Sequence, residues 1–213
     1  MPSLPSVKLC GLRRREDVLL GLAKGADALG FVHHEPSPRH ASLAEIAELT
    51  PLLQGPAVGI LVVVNARPDS LLEWARQAGV HAVQLCGAES PAEFQGFPLP
   101  ILRRIGVEPG AEKDLEAWQE LAWGFVLDHP AAPGGTGRGV DLNQAASLAA
   151  RGACLLAGGI DAGNVAERVA RVRPWGVDAS SRLETSPGVK DPHAVESYLV
   201  AAQSALSALG DRQ

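Results

Sequence analysis

The chain has 213 residues, of which 46% are hydrophobic and 20% charged, with a formal net charge of −5. That much apolar material excludes a disordered chain and permits a buried core. The acidic balance, unbroken by any basic block, excludes binding driven by a nucleic-acid backbone or an anionic membrane surface, so an anionic ligand must be held by local contacts.

The N-terminal MPSLPSVKLCG has neither the basic start nor the apolar core of a signal peptide. The most apolar window, AVGILVVV at 57–64, is far shorter than the ~20 residues of a membrane span, and the expected location is the cytoplasm. From there, short β-branched or Leu-rich runs alternate with amphipathic stretches. Strands are predicted at SVKLC (6–10), ALGFV (28–32), AVGILVVV (57–64), AVQLC (82–86), PILRRIGV (100–107), GFVLD (124–128), ACLLAG (153–158) and GVDAS (176–180). Helices are predicted at 13–24, 42–53, 68–78, 90–95, 111–122, 142–151, 163–172 and 192–208, several opened by Ser, Asp or Pro and closed by Gly. This is the pattern of βα units around a parallel sheet. No linker or composition shift divides the chain, so the expected architecture is α/β: one (β/α)8 TIM barrel domain over residues 1–213. The competing open doubly wound sheet usually carries GxGxxG after its first strand, where this chain reads CGLRRRED. Turn signals gather instead after strands 6 and 7, in PAAPGGTGRG (130–139) and AGGIDAGN (157–164), where barrels of this type often hold a phosphate.

In a barrel the reactive groups sit at the carboxyl ends of strands. Cys10 ends strand 1 and Asp128 ends strand 6. Lys8 shares a face with Cys10, and Asp178 with Ser180. Strands 1 and 8 are neighbours in a closed barrel, which lets Lys8 and Asp178 meet as a buried structural pair. Cys10 reads either as a small buried hydrophobe or as an accessible, partly ionised base or nucleophile in the field of Lys8. Asp128 reads as a general acid raised by burial or as a cap on the loop DHPAAPGG. Arg39, in the Pro-held loop GFVHHEPSPRH (30–40), offers a fork to a substrate carboxylate, or is a solvated surface residue. His33 and His34 are adjacent and point apart in an extended strand, which gives no metal pair. Cys10, Cys86 and Cys154 are odd in number and widely separated, so free thiols are expected rather than disulfides or a zinc site. GGTG (134–137), AGG (157–159) and ASS (179–181) place small residues after three consecutive strands, where backbone N–H groups can approach a phosphate.

Taken together, VKLCG (7–11) with ED (16–17), ALGFV (28–32), SPR (37–39), VN (64–65), VQL (83–85), LD (127–128), GGTG (134–137), LAGGI (156–160) with NV (164–165), and VDASS (177–181) with SPGVKD (186–191) resemble the phosphoribosylanthranilate isomerase family of tryptophan biosynthesis. The segments run in the family's order along nearly the whole chain. The resemblance implies an Amadori rearrangement of N-(5-phosphoribosyl)anthranilate with no cofactor and no metal. It implies Cys10 as general base, Asp128 as general acid, Arg39 on the anthranilate carboxylate, and Gly158, Gly159, Ser180 and Ser181 around the phosphate. The implied partner is a small phosphorylated substrate, with no nucleic acid and no membrane, and the chain is expected as a monomer or homodimer.

Three positions depart from the family pattern. Cys86 replaces a usual His and His33 a common aromatic, both expected near the mouth of the barrel. Arg182 replaces a Gly, where it would either obstruct backbone approach to the phosphate or add a direct contact. Other readings are a different phosphate-binding barrel, such as a sugar-phosphate epimerase or an indole-forming synthase, and a non-catalytic phosphate-ligand binder. A metal-dependent epimerase needs His and carboxylate ligands around the mouth, which the strand ends do not supply, and retained Cys10 and Asp128 speak against a decayed binder.

Overall fold

A computed structural model describes residues 4–130 and 138–210 of the chain. In chain order its elements are β1 Val7–Cys10, α1 Arg15–Ala23, β2 Ala28–Val32, α2 Leu43–Leu49, β3 Val58–Val63, α3 Pro68–Ala78, β4 Ala82–Leu85, β5 Ile101–Gly106, α4 Glu112–Trp118 and β6 Gly124–Asp128. They continue with α5 Leu142–Ala149, β7 Cys154–Leu156, α6 Val165–Val172, β8 Gly176–Ala179, β9 Glu184–Ser186, β10 Val189–Lys190 and α7 Pro192–Ser207. Strands β1 to β8 are parallel, pair in chain order and close into a barrel, with Lys8 of β1 opposite Asp178 of β8. This is the expected (β/α)8 barrel. Each predicted strand forms, trimmed by at most two residues at an end.

The strands read as apolar runs because both of their faces are buried, one by the helices and one by the barrel interior; every residue of β3 is buried. The helices begin where the sequence supplies a cap. Ser42 and Glu45 form a capping box at α2, the Ser42 hydroxyl accepting from Glu45 N at 3.2 Å and Ser42 N donating to the Glu45 carboxylate at 2.7 Å. Asp141 and Asp191 cap α5 and α7. Two differences from the predicted elements stand out. The stretch near 90–95 makes only a 3-10 turn over Pro91–Phe94, because the Pro and Gly residues around it leave no room for a longer helix. Between β8 and α7 lies an unpredicted antiparallel hairpin, β9–β10.

The core has two layers. A large cluster fills the space between strands and helices. A smaller one, with Ala28, Val58, Ile60, Ala82, Leu102, Val126 and Leu155, fills the barrel itself and is bordered by Cys10, Cys86 and Ala157. Those three also line a cavity at the carboxyl ends of the strands, so the packed interior is the floor of the site. Among the described residues, no helix is long and apolar enough to cross a membrane.

Candidate active site

The cavity has a volume of about 460 Å³. It collects Cys10 from β1, Arg39 from the loop after β2, Asp128 from β6, Gly158 and Gly159 from the loop after β7, and Ser180 and Ser181 from the loop after β8. All seven residues singled out in the sequence therefore meet in one place. The GGTG segment (134–137) lies outside the described residues. Cys86 lines the cavity as expected, but His33 does not. Its ring packs edge-on against Trp74 with centroids 5.2 Å apart, its Nδ1 lies 3.0 Å from the Ala41 carbonyl, and His34 takes the cavity side instead.

Cys10 is the last residue of β1 and is only 8% exposed. Burial pushes its thiol above the ordinary range, and the nearby Lys8 ammonium opposes that shift without reversing it. The thiol is therefore protonated at rest, which corrects the partly ionised reading while leaving the sulfur on the cavity wall. One pleat below, the fully buried Lys8 donates to Asp178 Oδ2 at 2.7 Å. Burial works most strongly against this ammonium, but the charge and hydrogen bond of Asp178, together with Cys10, outweigh it and hold Lys8 above its ordinary range. The expected structural pair is thus present. Asp178 adds something the sequence did not reveal: its Oδ1 is buried without a hydrogen-bond partner among the described residues, and the residue lines the cavity.

Asp128 takes the expected capping position and also reaches the cavity. Its Oδ1 accepts from the His129 amide at 2.8 Å, which caps the loop, while its Oδ2 lies 3.6 Å from Arg104 Nε and the residue borders the cavity. A Cβ on Gly158 would stand 3.3 Å from Oδ1, so the glycine keeps the approach to this carboxyl open.

Arg39 is neither solvated nor single. Its Nε donates to Glu184 Oε1 at 2.9 Å and its Nη2 to Oε2 at 2.7 Å. Glu184 Oε1 also accepts from Lys190 Nζ at 2.8 Å, Lys190 reaches the Ser180 carbonyl at 3.2 Å, and the Ser180 hydroxyl donates to the Cys10 carbonyl at 2.9 Å. A continuous polar chain thus runs from Arg39 to the backbone of Cys10. Burial opposes the Glu184 charge, but Arg39 and Lys190 overcome it and hold this carboxyl below the usual range. One edge of the guanidinium is used on Glu184, which leaves the other edge for a ligand carboxylate. The side chain crosses β1 over Gly11, where a Cβ would stand 2.6 Å from Arg39 Cδ. Glu184 and Lys190 were not identified from the sequence; SPGVKD (186–191) contains Lys190 but stops short of Glu184, and the Arg39 that joins them lies 145 positions from Glu184.

In the loop after β7, Gly158 and Gly159 have φ of +78° and +66°, conformations that favour glycine. The Gly158 carbonyl accepts from Arg168 Nη1 at 2.7 Å and the Gly159 carbonyl from Asn164 Nδ2 at 2.9 Å. Among the described residues, the amides of Gly158, Gly159 and Ser180 have no acceptor. Backbone N–H groups left unpaired in a concave wall, beside small side chains, suit an anion.

The family profile described as N-(5'phosphoribosyl)anthranilate (PRA) isomerase matches residues 7–201. A curated relative from Citrifermentans bemidjiense, named N-(5'-phosphoribosyl)anthranilate isomerase, is 39% identical over 206 residues, covering 94% of this chain and 98% of its own. The crystal structure of phosphoribosyl anthranilate isomerase from Thermotoga maritima superposes with a TM-score of 0.86 at 27% identity, covering 94% of this chain and 100% of its own. A structure of the enzyme in complex with reduced 1-(o-carboxyphenylamino)-1-deoxyribulose 5-phosphate gives a TM-score of 0.82 at 28% identity, with the same coverage of 94% and 100%. With a profile match over most of the barrel, and a relative this similar over nearly its full length, the chain belongs to the N-(5'-phosphoribosyl)anthranilate isomerase family.

Proposed function

We propose that this chain isomerises N-(5-phosphoribosyl)anthranilate to 1-(2-carboxyphenylamino)-1-deoxyribulose 5-phosphate by general acid–base catalysis within one barrel domain, as a monomer or homodimer. The observation that carries the reading is the joint presence of Cys10 and Asp128 in a cavity with a carboxylate-ready arginine and unpaired loop amides. Family membership, and a neighbour bound to a reduced form of this product, support the substrate.

In this reading the anthranilate carboxylate takes the free edge of Arg39, and the phosphate takes the amides of Gly158, Gly159, Ser180 and Ser181. Asp128 gives a proton to the ribose ring oxygen, the ring C1–O bond breaks, and a protonated Schiff base forms at C1. Cys10, as thiolate, removes the C2 proton and leaves an enolamine, which becomes the ketone when C1 gains a proton and the C2 hydroxyl loses one. The resting thiol is protonated, so its ionisation must be favoured in the complex. Lys8 and the cationic Schiff base both act in that direction. The reaction needs no net proton and no electron from outside.

Loss of the anthranilate-adduct fluorescence in a single turnover tests the reading. Conversion at stoichiometric enzyme is the expected result. Saturable binding of the adduct without loss of fluorescence would identify a binder and overturn the proposal.

A further inference from the structure

Three arginines line the cavity, and two are occupied inside it. Arg39 is tied to Glu184, and Arg104 lies against Asp128 with Nη2 donating to the His129 carbonyl. The third, Arg182, lines the same cavity from the loop after β8, next in the chain to Ser180 and Ser181. Its side chain is 51% exposed, and among the described residues it makes one long contact, Nη1 to Asp161 Oδ2 at 3.3 Å. Asp161 itself is fixed: its Oδ1 accepts from Gly163 N at 2.9 Å and its own amide donates to Asn164 Oδ1 at 3.2 Å. The pair therefore spans from the loop after β7 to the loop after β8, the same two loops whose amides lack acceptors.

We propose that Arg182 is a direct ligand of the substrate's phosphate monoester, closing across the cavity mouth a cradle that the backbone amides form on one side. The proposal rests on the reading of this cavity given above and adds to it the residue that supplies a full positive charge. Arg168, another cation close to this loop, donates to the Gly158 carbonyl and holds the loop, and it does not line the cavity. Arg182 sits in the 3-10 turn Ser181–Leu183, and its φ is not among the positive values of the described residues. The turn thus accepts a side chain without strain and needs no glycine.

A half-exposed ion pair of this length contributes little by itself. A phosphate dianion offers the guanidinium two parallel charge-assisted bonds in place of one long one. Asp161 then serves as the post that keeps the arginine over the mouth before the ligand arrives.

The test compares the parent with Arg182→Gly and Arg182→Gln. The readouts are KM and kcat for the isomerisation, and the Kd of inorganic phosphate by titration calorimetry. Arg151→Gln, which removes an exposed arginine paired with Glu116 outside the cavity, serves as the charge control. Loss of one charge-assisted phosphate contact predicts a KM and a phosphate Kd each about five- to tenfold weaker in both variants, with kcat within about twofold. The difference from the parent should shrink as KCl is raised. Parent-like KM and phosphate Kd in both variants would show that Arg182 is only a surface pair, and tighter binding by Arg182→Gly would show that it obstructs. Either result overturns the proposal. A parent that binds phosphate but converts no adduct would refute the isomerase reading alone, and the phosphate Kd would still decide the role of Arg182.

Discussion

The sulfur of Cys10 packs against Gly30, its register partner on β2, so closely that a Cβ at position 30 would stand 2.8 Å from Sγ. Gly30 has no left-handed φ, so the strand itself would accept alanine. The conflict is with the thiol alone. Gly30→Ala should therefore displace the sulfur within the site. Overpacking of this kind costs about 1–3 kcal/mol of stability, and a misplacement near 1 Å can lower turnover by about 10²-fold. Thermal unfolding together with kcat checks both; parent-like kcat would mean that the thiol's placement does not limit the reaction.

Direct removal of the two proton-transfer groups should be more severe than displacing one. General acid–base groups contribute about 10²–10⁴-fold, so Cys10→Ala and Asp128→Asn should each lower kcat by that order while circular dichroism stays that of the parent. Near-normal turnover in either variant would remove that residue from its role.

The thiol's environment also sets a pH dependence. Burial holds Cys10 above its ordinary value of 9.0, and only the thiolate can accept the C2 proton. kcat/KM should climb from neutral into alkaline pH without a Cys10 plateau below about pH 9. The same burial acts on stability. The folded state binds the thiol protons of Cys10, Cys86 and Cys154 more tightly than the unfolded chain does, the latter two being pushed up to about 12. Their contribution is complete below the unfolded thiol value and is lost as pH rises above it, so Tm should fall above about pH 9. A rate profile already flat at pH 7 would contradict the raised thiol.

Much of this was legible in the sequence, for physical reasons. Parallel barrel strands are buried on both faces, so they appear as apolar runs, and topology then sends their last residues to a common rim. That is why Cys10 and Asp128 could be placed together from strand positions alone. The hairpin β9–β10 was not legible because strands of three and two residues have no period to detect, and SPG reads only as a turn. Its charges were hidden for a different reason. Glu184 and Lys190 are ordinary surface residue types, and their burial depends on Arg39, which lies 145 positions from Glu184. His33 was misplaced because its position was compared with a family pattern rather than counted along β2: the alternation that puts Val32 on the cavity continues past the strand end, so His34 faces the cavity and His33 the outer layer.

That buried network gives the remaining prediction. The side chains of Arg39, Glu184 and Lys190 are 10%, 3% and 0% exposed, so two cations share one carboxylate away from water. Glu184→Gln would leave both cations facing each other uncompensated, and removing one partner of a buried ionic group costs about 3–5 kcal/mol. Arg39 would also lose the anchor that fixes its fork, so KM should rise more than kcat falls. The pH dependence has a definite sign. The folded carboxyl is held below the ordinary value of 4.5, so its stabilisation is present above the unfolded value and disappears as pH falls through the folded one. The Tm gap between parent and variant should therefore be widest at neutral pH and narrow below about pH 4.5. A gap that stays constant from pH 7 down to pH 3 would show that shape, and not the charge of Glu184, holds Arg39 in place.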